Sequence, residues 1–529
     1  MISQAATTSG ARTRPAGSFA GLRTRWALLA SVAGGLAVFA SFPPLDLWPL
    51  AFVGPAVLVV ALTGRSLRGS FVCGLVFGLA LFVPLLSWLV NVAWYAWGSL
   101  AVAEAVFFAI FAIGQRLLLR LQFWPVAVAA WWVSVEAFRD RWPFAFPWGR
   151  LAMSQSVAPD VRWVAIGGAP LLTFLVALAG AMLGRAVLAF LGTRGWRSRV
   201  SLSAAVAFVV TAGIVMAGGF LPVDPTGGAP TVEMAAIQGN VPRARNLPQQ
   251  LNDSEVTQDQ VAATARLSAS VRAGRAPAPD VVIWPEDADD TFGLDPYEYS
   301  YVDDEIMGAV DGIGRPILVG EVLENPLRNV GQVWLPDRGP TNPIYVKRQL
   351  VPFGEYIPFR GIISSFSSLP SLQPYNFTAG HNPVVFHLGQ VRLGDVICYE
   401  VGFDNLVRSE VNAGANVLAL QSNDADFEID GQLGETEQQS AMARIRAVES
   451  DRAVIYASTT GESSIIAPDG ALLAHSGIWR QAILEARVPL VSYRTLADRV
   501  GAWPEYVLVL VTAAALAFAC VTAVRRRSV

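Results

Sequence analysis

Apolar and polar positions divide the chain into three regimes. Residues 26–220 and 504–524 are almost continuously apolar, while residues 231–500 mix apolar and polar positions as globular sequence does. The apolar blocks predict spans near 26–42, 47–63, 71–90, 98–118, 122–138, 164–191 and 200–220, with one more at the C-terminus. At 1.5 Å per residue each reaches across a hydrocarbon core of about 30 Å, the shorter ones barely. The 164–191 block opens with Gly167, Gly168 and Pro170, which predicts a broken start.

In the mixed region the period changes. Short apolar runs predict strands at Val232–Gln238, Val281–Trp284, Pro316–Val322, Asn329–Leu335, Pro343–Val351, two within Val384–Ile397, then Val417–Gln421, Ala453–Ser458 and Ser463–Ile466. Helical spacing appears over 254–273, 302–314, 405–413 and 435–450. Strands alternating with helices predict a mixed sheet layered with helices. The divisions expected are a disordered tail at 1–25, a seven-span membrane domain at 26–221 and a Pro/Gly linker at 222–231. A globular domain at 232–495, a C-terminal transmembrane helix at 504–524 and a basic tail at 525–529 complete the chain.

Composition agrees with this division. Only 15% of the residues are charged against 53% hydrophobic, where a soluble protein of this size carries about a quarter charged. The net charge of −3 and the lack of a basic run in the globular part argue against a nucleic-acid partner. Three histidines and three cysteines, with Cys398 alone in the globular part, leave no disulfide framework and no histidine-rich metal site. No cofactor is implied.

Basic residues orient the spans. Arg12, Arg14, Arg23 and Arg25 precede the first, Arg65 and Arg68 follow the second, and Arg116 and Arg120 close the fourth. Arg194, Arg197 and Arg199 follow the sixth, and Arg525, Arg526 and Arg527 end the chain. With seven spans before the globular domain and one after, all of these fall on the cytoplasmic side and the globular domain lies outside. One loop, 139–163, departs from this pattern with Arg139, Arg141, Arg150 and Arg162 among Trp142, Phe144, Phe146 and Trp148. It reads equally as an interfacial aromatic belt or as a basic ledge for lipid head groups. Glu104 and Glu136 lie within spans, where a carboxylate marks either a functional group or a polar contact between helices.

The candidate chemistry sits at strand ends. Gly394–Glu400 reads G-D-V-I-C-Y-E, an apolar run ending in Cys398. A free cysteine is often just a small buried hydrophobe, but at a strand end it is also placed as a nucleophile on a turn. Glu286 and Lys347 stand at two other strand ends. Thiolate is the attacking form of cysteine; a carboxylate serves as its base, and a lysine stabilises the oxyanion that forms.

W-P-E at 284–286, the lysine of Y-V-K-R-Q-L-V-P-F-G-E-Y-I-P at 345–358 and I-C-Y-E at 397–400 resemble the Glu-Lys-Cys triad of the nitrilase superfamily. Joined to the membrane frame, and with Q-G-N at 238–240, S-N-D-A at 422–425 and M-A-R-I-R-A-V-E at 442–449, the chain resembles the apolipoprotein N-acyltransferases. The resemblance implies a multi-pass helical membrane domain of seven spans plus one C-terminal span, carrying an inserted α/β nitrilase-like αββα sandwich. It implies a bacterial plasma-membrane enzyme, a monomer, with its catalytic domain outside the cytoplasm. Cys398 would take an acyl chain from the sn-1 ester of a phospholipid as a thioester and pass it to the α-amine of a diacylglyceryl-modified apolipoprotein. Glu286 would be the base, Lys347 the oxyanion partner and Glu355 the orienting second glutamate; Tyr399 and Glu400 flank the nucleophile. Phe353, Asn423 and Phe366 complete the residues expected to support or bind substrate.

Two departures from the family pattern stand out: Asp426 where a tryptophan is usual, and R-A-R-N-L after Q-G-N-V-P without its customary tryptophan. The apolar yet proline-broken stretch Ile357–Tyr375 suggests either a surface-packed loop or a lid that dips into the bilayer. A membrane-tethered amidase or thioesterase using water, and an inactive membrane scaffold, are the rival readings.

Overall fold

The structure is a computed structural model, and it describes residues 21–192, 199–221, 228–241, 253–289, 301–365, 375–425, 427 and 434–525. Seven helices come first: α1 (Thr24–Ala40), α2 (Leu50–Leu62), α3 (Leu67–Leu85), α4 (Trp94–Leu118), α5 (Trp124–Arg139), α6 (Val164–Gly192) and α7 (Arg199–Phe220). A further helix, Trp503–Arg525, closes the chain. Among the described residues five helices are long and apolar enough to cross a membrane: α3, α4, α6, α7 and the C-terminal one. The others are shorter: 17 residues in α1, 13 in α2 and 16 in α5. Large apolar side chains such as Phe208, Phe220 and Leu510 stand exposed on these helices, as a lipid-facing surface requires.

Small residues bring the membrane helices together. A Cβ on Gly74 would lie 2.3 Å from Phe108 O, and one on Gly78 2.6 Å from Ala105 Cα, so this small-x-x-x-small face lets α3 and α4 meet backbone to backbone. The predicted break in α6 is present: Gly167 and Gly168 leave helical geometry, Gly168 with φ +71°. Glu104 and Glu136 are both engaged in contacts between helices. Glu104 pairs with Arg139 at 3.2 Å. Glu136 accepts from Trp132 Nε1 at 2.9 Å, the Leu151 N–H at 2.8 Å and Thr173 Oγ1 at 2.9 Å.

The second part is built from strands β1 (Thr231–Gln238), β2 (Val281–Ile283), β3 (Ile317–Leu323), β4 (Arg328–Leu335), β5 (Gly339–Pro340) and β6 (Tyr345–Val346). It continues with β7 (Val385–Leu388), β8 (Val391–Ile397), β9 (Val417–Ser422), β10 (Val454–Ser458), β11 (Ser464–Ile466), β12 (Leu472–His475) and β13 (Ala482–Pro489). One sheet runs β13-β1-β2-β3-β4-β5, with β6 also on β4; the other runs β12-β11-β10-β9-β8-β7. Its helices are α8 (Asp253–Arg272), α9 (Tyr301–Ile313), α10 (Arg360–Ile363), α11 (Asp404–Ala413) and α12 (Glu435–Ser450).

Alternation along the strands makes the layers. Met234 and Ala236 of β1 face Val417 and Ala419 of β9 between the sheets. The intervening Ala235 and Ile237 pack under α8 and α9 with Ala263, Leu267 and Ile306. On the other side Leu418 and Leu420 pack with Val407, Val411, Met442 and Ile445 of α11 and α12. Both sheets are thus buried on both faces, which is why their strands read as unbroken apolar runs. The order helix, sheet, sheet, helix is the expected α/β sandwich. The outer face of the second sheet shares one apolar core with the membrane helices.

Two expectations are corrected. The strand predicted over Pro343–Val351 is only Tyr345–Val346, because from Lys347 the main chain turns to follow Glu400, whose carboxylate takes the N–H groups of Arg348 and Gln349. Strands β12 and β13 have no counterpart in the prediction; β13, which pairs antiparallel with all of β1, carries charged Glu485 and Arg487 that mask its apolar alternation. Phe366, Asp426 and the R-A-R-N-L segment lie outside the described residues, as do most of the 222–231 linker and the middle of Ile357–Tyr375.

Candidate active site

Cys398 follows β8 directly, on the first residue of a 3-10 turn, Cys398–Gly402. Its φ is +50°, a conformation a non-glycine residue holds only at a cost of about 1–3 kcal/mol. Two contacts hold the turn there. The Glu400 carboxylate accepts the Ile397 N–H at 2.9 Å, closing the turn on itself. Arg446 of α12 donates to the carbonyls of Val401 at 2.8 Å and Gly402 at 3.0 Å.

The same Glu400 reaches to the lysine segment. It accepts Tyr345 Oη at 2.7 Å, the Arg348 N–H at 2.7 Å and the Gln349 N–H at 3.0 Å. One buried carboxylate therefore locks the chain on both sides of Lys347 to the turn that carries Cys398. Lys347 itself is buried. Its Nζ lies 2.8 Å from Glu286 Oε1 and 3.0 Å from Glu355 Oε1. Burial works against its charge, yet the two carboxylates and Cys398 outweigh it and raise its pKa well above the ordinary value. Burial also pushes Glu355 upward, against the pull of Lys347.

Glu286 ends the β2 segment and is fixed at both oxygens. Oε1 accepts Lys347 Nζ and Asn329 Nδ2 at 2.7 Å; Oε2 accepts the Asn423 N–H at 2.9 Å. Asn329 also lies 3.2 Å from Glu355 Oε1, so one amide bridges the two glutamates. Burial raises the Cys398 thiol well above the usual thiol value; the Glu286 charge adds to this, while Lys347 opposes it. Gln439 Nε2 approaches Sγ at 3.6 Å, and its Oε1 accepts Tyr456 Oη at 2.5 Å.

Of the residues expected from sequence, Glu286, Lys347, Glu355 and Cys398 converge, with Asn423 and Glu400 in direct support. Tyr399 points away: its Oη donates to Ala145 O at 2.7 Å and its ring stacks on Trp148 at 5.3 Å. Phe353 is half exposed, with its ring 5.7 Å from Phe144. Asn329, Gln421 and Gln439 escaped sequence reading, since single amides inside a strand or helix carry no pattern.

The loop 139–163 is neither belt nor ledge in its main part. Arg150 is buried and pairs with Asp404 at 2.7 Å and Asp140 at 3.2 Å; Arg446 meets the same Asp404 at 2.6 Å. Burial alone would raise the Asp404 carboxyl, but the two guanidiniums hold it below the usual carboxylate range. The loop is the seat on which the turn carrying Cys398 rests.

Fold and site together define a nitrilase-type domain carried on membrane helices, and residues 246–498 match the carbon-nitrogen hydrolase family. Residues 34–182 match the apolipoprotein N-acyltransferase N-terminal domain. The apolipoprotein N-acyltransferase of Mycolicibacterium smegmatis is 36% identical over 93% of this chain and 85% of its own. That of Geobacter metallireducens is 28% identical over 95% and 96%. Among solved structures, an amidase from Nesterenkonia sp. AN1 aligns at 16% identity and a TM-score of 0.38, over 51% of this chain and 93% of its own. The chain belongs to the apolipoprotein N-acyltransferase family.

Proposed function

We propose that the protein transfers a fatty acyl chain from the sn-1 position of a membrane phospholipid to the N-terminal α-amine of diacylglyceryl-modified apolipoproteins. The observation that carries this is the buried grouping of Glu286, Lys347 and Cys398 on a domain whose core is continuous with apolar helices. Membership of the family supplies the acceptor class.

In the first half, Glu286 takes the Cys398 proton as sulfur attacks the ester carbonyl. Negative charge develops on the carbonyl oxygen, and Lys347 stabilises it. The lysophospholipid alkoxide leaves with the proton from Glu286, and the acyl chain stays on sulfur as a thioester. In the second half the lipoprotein amine attacks the thioester, Glu286 receives the amine proton, and it returns one to the departing sulfur. Glu355 and Asn329 orient Lys347 and Glu286 throughout. All of this takes place on a monomer in a bacterial plasma membrane, with seven spans before the catalytic domain and one after, and with that domain outside the cytoplasm.

The test is to trap the acyl-enzyme. Incubation with phospholipid is expected to load acyl mass on Cys398, released by an N-terminal diacylglyceryl lipopeptide and stable in buffer alone. Release by water at the same rate would make the protein a hydrolase, and no loading would exclude the thioester route.

A further inference from the structure

Asp395 lies three residues before Cys398 on β8, between the two sheets. It is wholly buried, and neither carboxyl oxygen has a hydrogen-bond partner. The Val396 N–H gives it only a weak favourable interaction, and the charged groups that bear on it, Glu400, Glu286 and Glu410, are all acids. Among the described residues no cation offsets it, so an ionised carboxylate here would carry the penalty of an unpaired buried charge.

A second orphan faces it. Gln421 of β9 donates from Nε2 to Trp284 O at 2.7 Å, with Pro285 O at 3.5 Å. Those carbonyls only accept, so the amide cannot be turned round. Gln421 Oε1 is thereby directed away from them, buried and without a partner. Both orphan oxygens converge on Gly331 of the opposite sheet: a Cβ there would lie 1.9 Å from Asp395 Oδ2 and 2.8 Å from Gln421 Oε1. Two buried acceptor side chains thus face one small space between the sheets.

We propose that Asp395 is a neutral carboxylic acid whose proton is offered to Gln421 Oε1, making it the positioning residue for Glu286. The chain of contacts runs from Asp395 to the Gln421 amide, and from that amide to the main chain of Trp284 and Pro285, which Glu286 directly follows. Burial and the surrounding acids push the Asp395 carboxyl well above its ordinary range. The inference rests on the proposed base role of Glu286, but the protonation of Asp395 is tested apart from it.

Two isosteric variants of the full chain decide the matter. Asp395→Asn keeps an N–H donor at every pH; Asp395→Val removes it. Infrared difference spectra at neutral pH are expected to show a protonated-carboxyl C=O band in the wild type that Asp395→Asn lacks. Stability gives a second readout with a definite sign. The folded protein keeps a proton that the unfolded chain releases above about pH 4, so this group makes wild-type stability fall as pH rises beyond that value. Asp395→Asn should lose that slope. In acyl-enzyme formation, Asp395→Asn should stay within about threefold of wild type, while Asp395→Val drops roughly tenfold or more in kcat with KM for phospholipid unchanged. Absence of the band and of the slope difference would mean an ionised Asp395 and overturn the proposal, even if Asp395→Val does not fold. An Asp395→Val enzyme with wild-type kcat would refute positioning while leaving the role of Glu286 intact.

Discussion

Arg150, on the loop that follows α5, grips Asp404, at the start of α11, through two hydrogen bonds of 2.7 and 3.1 Å. The pair joins the membrane part to the residue two beyond the end of the Cys398–Gly402 turn. Removing Arg150 strips Asp404 of one of its two guanidinium partners and Asp140 of its ion pair, in a buried setting where breaking a pair costs up to about 3–5 kcal/mol. Arg150→Ala should therefore lower the thermal unfolding midpoint and slow acylation of Cys398, whereas a mutation at an exposed arginine such as Arg272 should do neither. Thermal melts in detergent and acyl-loading rates check this.

Cys398→Ala should leave a folded membrane protein that transfers no acyl chain. Gel filtration and lipopeptide N-acylation by the purified variant are the measurements; normal transfer would end the thioester mechanism.

Glu286→Gln should separate two reactivities of the same sulfur. Loss of the base slows acyl-enzyme formation by about 10²–10⁴-fold. Yet the Glu286 charge is one of the causes that raise the Cys398 thiol, so its removal lowers the thiol pKa. Alkylation by a small iodoacetamide should then set in at lower pH than in wild type, where it keeps climbing beyond the range of an ordinary cysteine. A parallel fall of both rates would contradict the assigned role.

Asn329→Leu tests the bridge between the glutamates. It leaves Glu286 and Glu355 without their shared donor, and a lost hydrogen bond to a charged group is worth about 1.5–3 kcal/mol. Acylation should fall by roughly one to two orders of magnitude, with phospholipid KM little changed.

Orientation is checked with reporter cysteines in a Cys520→Ser background. Ala229→Cys should react with a membrane-impermeant thiol reagent in intact cells, and a cysteine at Arg65 should not. The reverse labelling would place the catalytic domain in the cytoplasm.

Much of this was legible in the sequence because the period of apolar positions changes sharply at residue 231. The strand ends that carry Glu286 and Cys398 follow from the apolar runs before them. What stayed hidden is contact made at long range. Nothing local announces that Arg150 meets Asp404 or that Glu400 reaches back to Arg348. The loop 139–163 reads as interfacial for that reason: its arginines look so by composition, but the carboxylates they meet, Glu104, Asp404 and Glu505, come from elements distant in sequence. Strand β13 is not legible because charged Glu485 and Arg487 interrupt its short apolar run, while its place is fixed by pairing with β1, some 250 residues earlier in the chain.

The left-handed backbone of Cys398 also bears on how the protein tolerates change. A residue at φ +50° is one that glycine or asparagine occupies with less strain. The position that the proposed mechanism requires to be cysteine is thus one where the backbone would prefer something else. Cys398→Gly should give a protein that is inert yet melts higher than the active enzyme, placing the nucleophile among the sites where activity and stability are traded against each other.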